Sequence, residues 1–165
     1  MKVIHKINPI YTKDSQVLIL GSMPSKISRE NNFYYANPTN RFWKVMATIF
    51  NVILKTHNDK KEFLLKNKIA MWDVIKSCDI NGSSDASIKN VIVNDIDLII
   101  NNSQIKNIYC TGKTSFKLFI KYFPQYITMT TLLPSPSSAN ATYSLERLVK
   151  EYKIIIKSLK KRQIN

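Results

Sequence analysis

Residues 16–21, Gln-Val-Leu-Ile-Leu-Gly, decide the fold. A continuous apolar run that stops at a glycine reads as a strand buried on both faces, the kind found inside a parallel sheet. It is expected over residues 16–22, with three further runs of the same kind at 69–74, 106–111 and 127–133. Between them the spacing turns helical. Phe42, Val45, Met46, Ile49 and Phe50 fall on one helical face within 40–50. Residues 58–67, 94–101 and 113–122 also read as helices, and 144–160 sets Leu145, Leu148, Val149, Tyr152, Ile156 and Leu159 on one face among lysines. Strands alternating with helices predict a three-layer α/β/α sandwich around a short, mainly parallel four-stranded sheet, with 1–165 as one domain.

Charge points to the partner. The 165 residues carry 25 Lys and Arg against 11 Asp and Glu, a net charge of +14, and the pI is about 9.8. Such an excess suits a polyanion, with nucleic acid first; a merely lysine-, asparagine- and isoleucine-rich composition is the alternative source. Cys78 and Cys110 stand far apart with no Cys-x-x-Cys, and His5 and His57 have no ligand-like neighbours in sequence, so no zinc or iron–sulfur site is expected. The opening residues lack a signal-peptide core, and no apolar run is long enough to span a bilayer. The expectation is a cytoplasmic monomer with no cofactor and no membrane contact.

In a sheet of this kind the chemistry belongs at the carboxyl ends of the strands. Four segments meet there: 21–43 after the first strand, 73–85 after the second, 111–115 after the third and 132–141 after the fourth. Thr111-Gly112-Lys113-Thr114-Ser115 looks like the end of a P-loop, but the first glycine of that motif would fall on Asn107, inside a strand, so triphosphate binding is rejected. Lys113 remains a point charge for a nucleic-acid phosphate. Leu132-Leu133-Pro134-Ser135-Pro136-Ser137-Ser138 is a stiff loop whose serines either approach phosphate or simply shape a helix entry.

Taken together these segments resemble a known family. Gly-x-x-Pro at 21–24 and Pro-Ser-Pro-Ser at 134–137 resemble the two active-site motifs of the uracil-DNA glycosylase superfamily. Tyr34-Tyr35-Ala36-Asn37-Pro38-Thr39-Asn40-Arg41-Phe42-Trp43 resembles the signature of its hypoxanthine-DNA (deoxyinosine) glycosylases, and residues 69–89 resemble the middle segment of that family, through Cys78 to Gly-Ser-x-Asp at 82–85. The chain departs from the pattern at Ser25, Asn37, Thr39 and after Cys78.

The resemblance implies hydrolysis of the bond between a deaminated base and deoxyribose, with the base flipped into a pocket. It implies excision of hypoxanthine, with uracil or xanthine as further substrates, by a monofunctional enzyme of base excision repair. A non-catalytic DNA- or RNA-binding module on the same fold is the alternative. Met23 stands near the place where many relatives hold a water-orienting polar group, and a thioether cannot polarise water. The resemblance moves that role to Asn40, whose amide can orient water but is no strong base, so catalysis leans on orientation and leaving-group stabilisation. Read locally, Asn40 is a helix cap; under the resemblance, Thr39 takes the cap instead.

Ser22, Met23, Pro24, Tyr35 and Asp73 make the expected base pocket. Tyr35 serves as a stacking wall, and Asp73 either accepts a ring N–H of the base or bonds loop main chain. Tyr34 divides between pocket and core, while Phe33, Trp43 and Trp72 read as core. Ser25, Arg41, Lys113, Ser135, Ser137 and Ser138 form the expected phosphate-contact set, with Ser22 at its edge. No residue of the 137–141 loop is a large apolar wedge.

Overall fold

The computed structural model describes residues 1–82 and 84–163, the side chains of 160–163 excepted. Its centre is β2 (Val17–Gly21), whose Val17, Leu18, Ile19 and Leu20 side chains have no exposed surface. Burial of each stabilises the fold by about 1.5–3 kcal/mol. β2 lies between β3 (Ile69–Asp73) and β6 (Asn107–Thr111), and β6 pairs with β7 (Thr130–Leu133). All three pairings are parallel and in simple register, so the order is β3-β2-β6-β7 and all four strands end on one rim.

The period-two geometry of a strand sorts the side chains into two cores. Val17, Ile19, Ile69, Met71 and Tyr109 pack against α2 (Phe42–Phe50), α3 (His57–Lys66) and α6 (Leu145–Gln163). Leu18, Leu20, Ala70, Ile108 and Cys110 pack against α4 (Ile96–Asn101) and α5 (Lys113–Tyr122). That makes the three-layer α/β/α sandwich with a four-stranded parallel sheet. On α6 the buried stripe is Leu148, Tyr152, Ile155 and Leu159; Ile155 takes the place expected for Ile156, and Leu145 is exposed.

Three features depart from the sequence reading. Residues after Asp73 do not form a loop but β4 (Ile75–Asp79), which pairs antiparallel with β1 (Lys2–Ile4) and β5 (Lys89–Val93) in a second, three-stranded sheet. Its strands are short and mix polar with apolar residues, and Ile75, Cys78 and Ile80 form its buried core, so no long apolar run announces them. Residues after Ser25 form a short helix, α1 (Lys26–Asn31), capped by the Ser25 hydroxyl, which accepts from Ser28 N–H at 3.1 Å. The fourth strand begins at Thr130 rather than 127, because Pro124–Met129 coil into a 3-10 turn.

Only Val74 separates β3 from β4, so the chain passes straight from one sheet into the other. Asn94 clamps this junction: its buried side-chain amide donates to the carbonyls of Asp73 (2.9 Å) and Ile75 (3.1 Å). The segment after β1 follows the same path in reverse. His5 N–H donates to Lys76 O at 2.7 Å, and Ile10 bridges Met71 in both directions. That strap brings His5 over the carboxyl end of β3.

Candidate active site

A cleft of about 910 Å³ opens where the four parallel strands end. Gly21, Asp73, Thr111 and Leu133, the last residues of β2, β3, β6 and β7, all line it, as do Met23, Tyr35, Asn40, Asp85, Lys113 and the 134–140 loop. The volume suits a nucleotide-sized ligand.

Asp73 forms the floor. It is buried, and its Oδ2 accepts a 2.7 Å hydrogen bond from His5 Nε2. Its Oδ1 leans over the Cα of Gly21: a Cβ built there would stand 2.4 Å from it. Glycine is therefore required for close approach, not for an unusual φ. Beside it lies the Tyr35 hydroxyl, 2.8 Å from Thr111 Oγ1. Thr111 Oγ1 in turn donates to Leu20 O at 3.4 Å, so the Tyr35 proton goes to Thr111. The Tyr35 ring stacks on Phe42 with centroids 4.2 Å apart and 15° between planes. Tyr35 holds a left-handed backbone, φ 52°, an uncommon conformation for a non-glycine residue that the stacking and the hydroxyl bond together hold in place. Burial, with the Asp73 charge next, pushes the Tyr35 and Tyr34 hydroxyls far above their ordinary pKa, so both stay protonated. Tyr34 is buried in the core, its hydroxyl donating to Asn8 O at 2.9 Å, and it also borders the cleft.

Asn40 stands on one wall. Its Oδ1 accepts from Phe42 N–H at 2.9 Å, and it lines the cleft at the same time. Thr39 does not cap α2; its N–H and hydroxyl both donate to Asn37 Oδ1, which folds the 37–40 turn. The bond from Phe42 N–H still leaves Asn40 an open acceptor, since a carbonyl oxygen has two lone pairs. Met23 also lines the cleft and rests on the Ile75–Cys78–Ile80 cluster. Ser22 Oγ donates to the Asp85 carboxylate at 3.3 Å. Desolvation raises the Asp85 pKa; the Ser22 and Thr114 hydroxyls oppose that and the Asp73 charge adds to it.

Arg41 is reassigned. Its guanidinium does not face outward for phosphate but reaches into the last loop. Nε donates to Pro136 O (3.3 Å), Nη2 to Ser137 O (2.9 Å) and Asn140 O (3.2 Å), and Nη1 to Tyr143 O. Its main-chain N–H also donates to Pro136 O at 3.0 Å. A planar fork of fixed donors is suited to gathering carbonyls this way. Tyr152 fastens the same loop from α6, its hydroxyl donating to Pro134 O at 2.6 Å.

The serines are largely occupied in shaping their loops. Ser135 Oγ accepts from Ser137 N–H and Ser137 Oγ from Ala139 N–H, both at 3.2 Å, while Ser138 Oγ donates to Thr39 Oγ1 at 3.3 Å. With Ser25 capping α1, the hydroxyls expected to hold phosphate are turn-forming groups first. Lys113 stands exposed on the rim at the start of α5.

Of the pocket residues expected from sequence, Ser22, Met23, Pro24, Tyr35, Asn40 and Asp73 all line the one cleft. Among the described residues the carboxylate of Asp73 bonds His5 and not loop main chain. Sequence reasoning missed His5, Thr111, Asn94 and Asp85 as site residues. Asp85 and Thr111 lay inside quoted segments, whereas nothing in the spacing ties residue 5 to residue 73. Ser83, in the Gly-Ser-x-Asp stretch, lies outside the described residues. Among the described residues no cluster of three or more His, Cys, Asp or Glu could hold a metal ion, and no helix is long and apolar enough to cross a membrane. Trp43 is buried as expected, while Trp72 is half-buried and donates from Nε1 to Ile7 O at 3.3 Å.

An α/β sandwich with a nucleotide-sized cleft at its strand ends, lined by the 21–25 and 134–140 loops and by Tyr35 and Asn40, fits a class of DNA repair proteins. The model of the uracil DNA glycosylase superfamily matches residues 9–160, and the chain belongs to that superfamily. Its relatives sharpen the placement. A protein named hypoxanthine DNA glycosylase from Methanosarcina acetivorans is 31% identical over 144 residues, 84% of this chain and 89% of that one. One of the same name from Methanosarcina barkeri is 32% identical over 110 residues, 65% of this chain and 70% of its own length. The solution NMR structure of a candidate uracil DNA glycosylase from Methanosarcina acetivorans superposes with a TM-score of 0.80 at 28% identity, covering 96% of this chain and 99% of that one.

Proposed function

We propose that the protein is a monofunctional DNA glycosylase that releases hypoxanthine from DNA in base excision repair, acting as a monomer. The observation that carries the reading is the Asp73 carboxylate at the cleft floor, with one oxygen bonded to His5 and the other, among the described residues, bonded to no protein group. Hypoxanthine presents a ring N1–H where adenine presents a lone pair, so an acceptor at that point suits the deaminated base. Uracil and xanthine, which also carry ring N–H groups, are the further substrates. The Tyr35–Phe42 stack offers the flipped base a flat wall.

Asn40 orients a water toward C1′. The glycosidic bond breaks with its electron pair leaving on the base, the sugar becomes oxocarbenium-like, and water closes onto C1′ while its proton passes to solvent. An amide cannot take that proton, so the rate comes from placement and from stabilising the two charges that form. Affinity for the duplex comes from the lysine-rich surface.

Duplexes bearing deoxyinosine, uracil, xanthine or a G·T mismatch, treated with the protein and then with alkali, test this. The expected result is alkali-dependent cleavage at deoxyinosine first, with no strand break before alkali. Asn40→Ala should remain folded, losing about 1 kcal/mol as the bond from Phe42 N–H is removed, yet show no excision. Near-wild-type excision by the folded variant would remove Asn40 from the mechanism. A non-catalytic DNA-binding module draws on one observation, that Asn40 Oδ1 is already engaged by Phe42 N–H; damaged duplex bound without any alkali-labile site would establish it.

A further inference from the structure

We propose that His5 is a positioning residue that sets the hydrogen-bond polarity of the base pocket. It locks Asp73 so that the floor presents only an acceptor, which admits a base with a ring N–H and rejects its amino-bearing parent. This rests on the glycosylase reading above.

The tautomer follows from the bonds. Ile7 N–H donates to His5 Nδ1 at 3.2 Å, so Nδ1 carries no proton and Nε2–H is the donor to Asp73 Oδ2 at 2.7 Å. The pair is secluded, with 1% of the His5 side chain and 7% of that of Asp73 exposed. Among the described residues every buried side-chain polar atom has a partner, and Oδ1 of Asp73 has none, so Oδ1 is reached from the cleft. Its neighbour, the Tyr35 hydroxyl, spends its proton on Thr111 and adds a second acceptor.

A ring lone pair facing these oxygens is repelled and leaves the carboxylate unpaired, whereas a ring N–H completes it. Adenine N1 and cytosine N3 are lone pairs; deamination turns each into N–H. Guanine and thymine carry ring N–H groups as well, so the device separates a deaminated base from its parent and leaves those two to the shape of the pocket.

The experiment exploits the fixed donor at residue 5. In Asp73→Asn, His5 Nε2–H holds the amide oxygen and turns the amide NH2 into the cleft. Excision of hypoxanthine should fall at least about a hundredfold, as for a site built around one hydrogen bond, and the hypoxanthine-to-adenine preference should shrink. Adding His5→Phe removes the donor, lets the amide turn its oxygen inward, and should restore hypoxanthine excision at least about tenfold over Asp73→Asn alone. His5→Gln alone keeps a donor and should keep the wild-type preference. If the His5→Phe double variant does not fold, Asp73→Asn with His5→Gln replaces it, because a Gln side chain can offer its carbonyl and permit the same turn. A purely structural His5 would give additive losses and no recovery.

Unchanged preference in folded Asp73→Asn, or no recovery in a folded double variant, overturns the proposal. Fluorescence titration of the wild-type protein with free hypoxanthine and adenine reads polarity without turnover. Absence of all excision with hypoxanthine bound at least about tenfold tighter would sink only the glycosylase reading, and equal affinities would sink the pocket polarity itself.

Discussion

Asp85 joins the cleft to solution pH. Desolvation lifts its carboxyl above the ordinary range, so the folded protein holds that proton to higher pH than the unfolded chain does. The stability it contributes is complete below the unfolded pKa, about 3.9 for an ordinary Asp, and is lost as pH rises through the folded value. Asp85→Asn, neutral at every pH, should melt with the wild type in strong acid and above it at neutral pH. A melting-temperature difference that shrinks as pH rises would reverse the sign assigned to this group. Asp85 and Asp73 also illustrate what single residues disclose. A motif pointed to both positions, yet their partners were hidden, because His5 pairs across 68 residues of chain and is placed only by the strap along β4 and β3. Asn40 was legible under two readings, cap and water holder; its side chain binds Phe42 N–H from one residue ahead of the Arg41 N-cap of α2, and it lines the cleft.

At the scale of the element, the parallel strands were readable because their burial is continuous and the long helices because theirs is periodic: α5 occupies Lys113–Tyr122, where the pattern placed it. The second sheet was not, because β1, β4 and β5 draw their stability from backbone pairing and a core of three side chains rather than from an apolar stripe. The last loop was read for its serines, and its organiser was overlooked. Arg41→Lys should decide between the two roles. Lysine keeps the charge but cannot span four carbonyls from a rigid fork. Base excision should drop about tenfold or more for a loosened wall, while affinity for undamaged duplex and its salt dependence stay close to wild type. A large loss of undamaged-DNA affinity with excision per bound complex intact would return Arg41 to the phosphate set.

For the molecule as a whole, charge is the property that reaches furthest. A net charge of +14 on 165 residues should make duplex binding electrostatic, with affinity falling roughly 0.9 log units per log unit of salt for every phosphate neutralised. Titrations at several salt concentrations measure that slope. A flat response would leave the excess of lysine as composition alone.

The guanidinium of Arg41, at the N-cap of α2, and the hydroxyl of Tyr152, on α6, hold the last loop from two sides. With both fastenings in place, this wall of the cleft has little freedom to yield, and the work of adaptation falls on the DNA. On the proposed reading the duplex gives up its nucleotide to a mould that is already set, and the cost of breaking its own pairing and stacking enters the barrier. The protein should then act as a gauge of helix weakness: hypoxanthine opposite a poor pairing partner, or at a frayed end, should be released faster than the same base in a well-stacked pair. Single-turnover rates across a series of opposite bases, ranked against the melting temperatures of the duplexes, would reveal that ordering.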